Sequence, residues 1–273
     1  MSIFKTITFI LPVVGMPSWK IHHLQKLASS FHSIFLFVNV TKNSHDSLFA
    51  TLGLMANGNS AGDLCQLHIE GKDAELAQMV LQAFIEKNTI IIKPKSPWFR
   101  QEPLHKNKSF LLPFELNYHY LELTEKEVTQ AQIFKQIALM ATKNELEQHS
   151  EANKHQLDIS TITNDLLFAL TAREEVSSTY IGGGIALPHL ISRHITLPQL
   201  IIIRVNNEDV WFKQSSLFIG LLLPKDMPRE SLKHVTFLTR SLLNPHYQRL
   251  VQQAESAVIL EALLRHKMAY FNV

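Results

Sequence analysis

A second cysteine is what this chain of 273 residues most plainly lacks, and with Cys65 alone neither a disulfide framework nor a thiolate metal site can be assembled. A reduced, cytoplasmic setting is the simplest expectation. Glycine and proline are also scarce, at 9 and 11 residues, which argues against a fibrous or low-complexity chain. No run of about 18 apolar residues occurs, so no direct membrane insertion is expected. Charge of one sign is missing too: 26 Lys and Arg stand against 24 Asp and Glu, and the basic residues are scattered rather than gathered in a stripe. Nucleic-acid binding, which needs a concentrated basic surface, is therefore not expected. The opening apolar run, residues 4–15, holds one lysine, an internal proline and no Ala-x-Ala pattern, and reads as a β-strand rather than a signal peptide.

What is present is a globular composition, 46% hydrophobic and 18% charged, over a length that exceeds a typical single domain, so two cores are expected. Residues 1–90 alternate between strand and helix periods. Strands are expected at Lys5 to Leu11, Ser33 to Val40 and Leu64 to Ile69, and helices at His22 to Phe31, Leu48 to Met55 and Ala74 to Glu86. Turns fall at Asn57-Gly58-Asn59 and at Glu70 to Asp73. Across 91–114 the periodicity fades while Pro94, Pro97, Pro103 and Pro113 accumulate, the pattern of an interdomain linker, with Trp98, Phe99 and Phe110 able to pin parts of it. Residues 115–273 form the second expected domain. Its strands are Leu116 to Leu123, Leu200 to Val205 and Leu217 to Leu223; its helices are Lys126 to Met140, capped by Thr124, then Ile162 to Arg173, Glu230 to Leu243, His246 to Gln253 and Ala257 to His266. The expected fold class is mixed α/β (α+β) in both halves, with no internal repeat.

Chemistry concentrates in Arg173-Glu174-Glu175-Val176-Ser177-Ser178-Thr179-Tyr180-Ile181-Gly182-Gly183-Gly184-Ile185-Ala186-Leu187-Pro188-His189. Three consecutive glycines permit positive φ and close backbone approach to an anion, although such a run is commonly just a tight strand connection. Pro188 holds Leu187 extended and fixes the chain just before His189, whose neutral imidazole carries a nucleophilic lone pair on one nitrogen. An isolated Pro-His pair is more often structural. Fourteen histidines invite a metal reading, yet no pair joins zinc-like spacing to a supporting carboxylate or cysteine. His189 with His194 is the only tempting local pair, His194 reads as a surface residue, and neither metal nor cofactor is expected.

The whole segment resembles the active-site signature of the fructose/mannitol and nitrogen-type enzyme IIA family of the sugar phosphotransferase system, R-E-x-x-x-S-T-x-I-G-x-G-I-A-x-P-H, matching it at Arg173, Glu174, Ser178, Thr179, Gly182, Gly184, Ile185, Ala186, Pro188 and His189. The resemblance runs from about Leu116 to Leu264 and takes in Val210-Trp211-Phe212. It implies a mixed sheet flanked by helices, and a phosphohistidine at His189 that is loaded by phospho-HPr and discharged onto an enzyme IIB. A helix-opening histidine is a second family feature, and His234, in Lys233-His234-Val235-Thr236-Phe237-Leu238, fits it. His234 and Arg173 are thus implied to handle the phosphoryl oxygens, with Thr179, Gly182, Gly183 and Gly184 forming the phosphoryl-binding loop. A regulatory protein acting by binding in one phosphorylation state, as in the nitrogen-type branch, is the alternative.

Residues 1–90 resemble HPr, the small phosphocarrier, whose fold is an open-faced β-sandwich; the markers are Gly15, Ala28 to Ser33, Ser47 to Leu54 and Ile69 to Ala74. HPr carries its active histidine in G-[LIM]-H-[AT]-R-P, and this chain has Gly15-Met16-Pro17-Ser18-Trp19-Lys20 there. Pro17 replaces the nucleophile, so the first domain is expected not to carry phosphate, and His22 and His23 lie too far into the helix to substitute. An intramolecular contact of the two domains is a role compatible with that loss.

Overall fold

The computed structural model describes residues 2–56, 58–93, 103–124, 128–148, 158–205 and 215–271. Asn57, the central part of the expected linker with Trp98 and Phe99, the expected helix start at Lys126, and Val210 to Phe212 lie outside the described residues. The chain divides into two compact units, residues 1–111 with 254–273 and residues 112–253.

In the first unit, β1 (Ile3–Ile10), β2 (Ile34–Asn39), β3 (Ser44–Ser47), β4 (Leu64–Gly71) and β5 (Ile90–Ile92) form an antiparallel sheet in the order β3-β2-β4-β1-β5. Period-2 alternation sends Ile7 and Phe9, Phe35 and Phe37, and Cys65, Leu67 and Ile69 into one core. There they meet Ile21, Leu24 and Ala28 of α1 (Ser18–Ala28) and Ala77, Leu81 and Ile85 of α3 (Ala74–Asn88), each set at helical spacing. Each of the Ile, Leu and Phe side chains among them contributes roughly 1.5–3 kcal/mol by leaving water. Burial also pushes the Cys65 thiol well up, which keeps it protonated. The short α2 (Thr51–Ala56) begins later than expected because the Leu48 amide bonds to Phe35 O and extends the strand connection. Helix α1 starts earlier than expected, at Ser18, because Pro17 O accepts the amides of Lys20 and Ile21.

The last helix, α8 (Ala257–Ala269), capped by Ser256, belongs to this first unit, whereas the sequence groups it with 115–253. His266 Nε2 meets Thr41 Oγ1 at 2.7 Å and its Nδ1 meets Ser109 O at 2.9 Å. Lys267 Nζ donates to Val40 O and Thr41 O. Residues 104–110, read as linker, form two 3-10 turns with Phe110 wholly buried edge-on to His266.

In the second unit β6 (Asn117–Leu123), β10 (Gln199–Val205) and β11 (Leu217–Pro224) lead into short β7 (Tyr180–Gly182), β8 (Ile185–Ala186) and β9 (His189–Ser192). The sheet is mixed: β6 runs parallel to β10, β10 antiparallel to β11, and both β8 and β9 run parallel to β11. β10 and β11 are apolar along almost their whole length, as strands covered on both faces must be. Helices α4 (Gln130–Gln148) and α5 (Ile159–Val176) cover one face with Ile133, Ile137, Ala141, Ile162, Leu166 and Leu170, and α6 (Arg229–Ser241) and α7 (Pro245–Gln252) complete the unit. The α4 cap is Thr129 rather than Thr124. Its hydroxyl accepts from the Gln132 amide while the Gln132 side chain accepts from the Thr129 amide, a reciprocal capping box. Asp158 caps α5, and bonds from Thr161 and Ser160 hold its carboxyl down at about 2. No helix among the described residues is long and apolar enough to cross a membrane.

Candidate functional site

The C-terminal end of α5 and the start of β9 bring Arg173 and His189 together. Arg173 lies in the last turn of α5, where a cation complements the unpaired carbonyls, and its Nη1 donates to Ser177 O at 3.2 Å. Its Nη2 donates to His189 Nε2 at 3.2 Å. On the opposite side of the ring, His189 Nδ1 lies 3.0 Å from Leu187 O. These partners decide the tautomer. A carbonyl can only accept and a guanidinium can only donate, so the neutral ring carries its proton on Nδ1 and its lone pair on Nε2. The lone-pair nitrogen thus faces a guanidinium, whose fork of donors suits phosphate and carboxylate oxygens.

The ring direction comes from the strand. β8 and β9 pair with successive stretches of β11, and Pro188, which has no amide to donate, separates them while its carbonyl accepts from Leu221 N at 2.8 Å. A cavity of about 320 Å³ opens at His189, walled by Leu187, Leu190, Leu221 and Leu223 from the strand side and by Leu232, Val235, Thr236 and Thr239 of α6. That wall is mostly apolar, so it offers little competition for the hydrogen bonds of the imidazole.

The glycine run is the turn between β7 and β8, with φ of 96°, 57° and 71° at Gly182, Gly183 and Gly184. Its carbonyls are held from α7: Gln248 Nε2 donates to Ile181 O, and Gln252 Nε2 donates to Gly183 O and Gly184 O. A Cβ on Gly183 would come within 2.7 Å of Gln248 Oε1, so the glycine is required by close approach as well as by φ. Thr179 acts through its backbone, its amide donating to Glu174 Oε2 and its carbonyl accepting from Leu187 N.

His234 is placed differently from the other expected site residues. The face of α6 at i, i+3, i+4 and i+7 from Leu232 turns to the cavity, which sets His234 off that face; its ring packs edge-on to Phe114 with centroids 5.9 Å apart. His234 is not among the residues lining the cavity. His194 pairs with Asp165 at 3.0 Å rather than with His189. Among the described residues no group of three or more His, Cys, Asp or Glu could hold a metal ion. Sequence reasoning missed Gln248 and Gln252. Their i, i+4 spacing on one helix was legible, but nothing local joins that helix to a turn some 65 residues away.

Comparison with known proteins adds the family. Among solved structures, a chain similar to this one is the nitrogen regulatory protein IIA-Ntr from Neisseria meningitidis, with 22% identity and a TM-score of 0.41 over 55% of this chain and 95% of that one. No curated protein matches. The family model for the phosphoenolpyruvate-dependent sugar phosphotransferase system, EIIA 2, matches residues 116–266, which include Arg173, the glycine turn, His189 and most of α8. With more than half of its length matched, the chain belongs to the EIIA type 2 family of the phosphoenolpyruvate-dependent sugar phosphotransferase system.

Proposed function

We propose that this protein is a phosphohistidine carrier, taking a phosphoryl group from phospho-HPr onto Nε2 of His189 and passing it to an enzyme IIB partner in the cytoplasm. The observation that carries this reading is the pairing of the two ring nitrogens: Leu187 O holds the proton on Nδ1, and Nε2 faces Arg173. In the transfer, the N–P bond on the donor imidazole breaks as a bond from phosphorus to His189 Nε2 forms. Such transfer needs in-line positioning and neutralisation of charge on the equatorial oxygens rather than covalent help. Arg173 would leave the lone pair for those oxygens, and the proton stays on Nδ1, donated to Leu187 O, throughout. The glycine turn supports the strand that presents the ring. His234 keeps a role in this proposal only if its side chain leaves Phe114 when the phosphoryl group is present.

The first unit is proposed to be an HPr-like domain that has lost its carrier function. Pro17 occupies the N-cap of α1, where an imidazole would be needed, while His22 and His23 are exposed in the following turn and His23 lies against Phe84, 5.0 Å between ring centroids. The donor is then a separate HPr.

Incubation with phosphoenolpyruvate, enzyme I and HPr, followed by mass-spectrometric mapping, should place one phosphoryl group on His189 and none on the His189→Ala protein. A label that survives His189→Ala overturns the reading. Discharge onto isolated enzyme IIB domains separates transport from regulation, since a phosphoprotein that no enzyme IIB discharges favours a binding role.

A further inference from the structure

We infer that Glu174 is a positioning residue that sets the tautomer of His189 through the backbone between them. This rests on the phosphohistidine reading for its consequence, but not for its geometry.

Arg173 and Glu174 are neighbours at the end of α5, and they act on opposite sides of the same imidazole. Arg173 reaches Nε2 directly. Glu174 reaches Nδ1 in three steps: its Oε2 accepts from the Thr179 amide at 2.9 Å, Thr179 O accepts from the Leu187 amide at 2.9 Å, and Leu187 O lies 3.0 Å from Nδ1. The first step fixes the rest. After Val176 the chain leaves the helix, with Ser177 extended at φ −160° and ψ 131°, so the Thr179 amide has no helical acceptor. Thr179 is itself buried, at 6% exposure. A carboxylate is the strong acceptor for such an amide. Once Thr179 is held, its carbonyl receives the Leu187 amide, and that bond determines where Leu187 O points.

The Glu174 carboxylate accepts from the Thr179 amide, and the neighbouring Arg173 guanidinium is left to the imidazole and Ser177 O. Loss of the carboxylate should free the segment at Thr179, let Leu187 O turn away, and leave only the Arg173 contact to favour a lone pair on Nε2, so that the Nε2–H form gains population as the guanidinium yields. In that tautomer the reacting nitrogen has no lone pair to attack with.

The test is imidazole nitrogen NMR on the full-length protein, with His189 assigned by the His189→Ala spectrum, alongside the rate of labelling by phospho-HPr and an unfolding midpoint. Wild type should show neutral His189 protonated at Nδ1. Glu174→Ala should shift it toward the Nε2–H form and slow labelling about tenfold, the lower end of what partners behind a functional histidine contribute. Glu174→Gln retains an acceptor for the Thr179 amide and should restore the Nδ1–H form and most of the rate. A folded Glu174→Ala protein with an unchanged tautomer overturns the inference. Should that variant not fold, Glu174→Asp, one methylene short of the amide, replaces it, and failure of both to fold overturns the inference by making Glu174 a folding residue. A tautomer shift in a protein whose wild type is never labelled would support the positioning role while removing the carrier reading.

Discussion

Two histidines of this protein share a local device and differ in everything around it. His189 and His266 each set Nδ1 against a backbone carbonyl, Leu187 O and Ser109 O respectively, and each therefore keeps its lone pair on Nε2. At His189 that lone pair faces a guanidinium at the mouth of a cavity. At His266 it accepts from the Thr41 hydroxyl, which itself accepts from the Leu64 amide, and the ring is 0% exposed and stacked on Tyr270. Fixing a tautomer is thus not what makes an imidazole reactive. On the proposed carrier role of His189, access and a displaceable partner on Nε2 would make the difference; at His266, where both are withheld, the same device joins α8 to the first unit.

That contrast can be broken most severely at His266. Replacement by Ala leaves Thr41 and Ser109 without their partner and opens a cavity, so urea denaturation should show a loss of about 3 kcal/mol in the first unit while His189 still accepts label in the folded protein. The next largest effect belongs to the other histidine's partner. Arg173→Ala removes a preorganised donor and should lower the labelling rate of His189 about 100-fold, with little change in unfolding, measured by rapid-quench kinetics and calorimetry. Equal losses of rate and stability would erase the distinction between the two sites.

The smallest effect, counted per pH unit, sharpens the comparison through pH. Burial holds His266 down at about 3 from an unfolded value of 6.5, so the folded ring stays neutral while the unfolded ring binds a proton. Its stabilising contribution is complete above pH 6.5 and is lost as pH falls toward 3, at about 1.4 kcal/mol per pH unit once the unfolded ring is fully charged. The carboxyls of Asp73 and Asp158, both held low by hydrogen bonds, add to the acid loss only below about pH 4. Between pH 4 and 6.5 the slope should therefore flatten in His266→Gln, as followed by chemical denaturation across that range.

Much of this was legible before any coordinates. The alternation through Phe35 and Phe37 and through Cys65, Leu67 and Ile69 names strands because one face is buried, and α3 begins at Ala74 as its spacing demands. The signature from Arg173 to His189 brings together the two residues that the structure puts 3.2 Å apart. What escaped was either too short or too remote. Strands of two to four residues, β7 to β9, carry no period to detect. Thr124 has the residue type of a cap, but Thr129 and Gln132, in capping-box spacing, form it. His234 is implied by the motif match alone: its ring lies against Phe114, while the cavity face of the same helix falls on Leu232, Val235, Thr236 and Thr239, a one-residue step being a turn of about 100°. The attachment of α8 to Thr41 joins residues 225 apart in sequence, and no window of local sequence contains it.

That attachment also sets an order of events in the life of the chain. Translation delivers Thr41 and Ser109 early and His266 only after all of residues 112–253 have been made. The second unit is continuous and can close on itself as it emerges, whereas the first, begun earlier, is the last to be finished. Until α8 arrives, the surface that will hold His266 and Lys267 stands open to water and to any chaperone that reads exposed apolar surface, so the first unit stays a chaperone client for as long as residues 112–253 are being made.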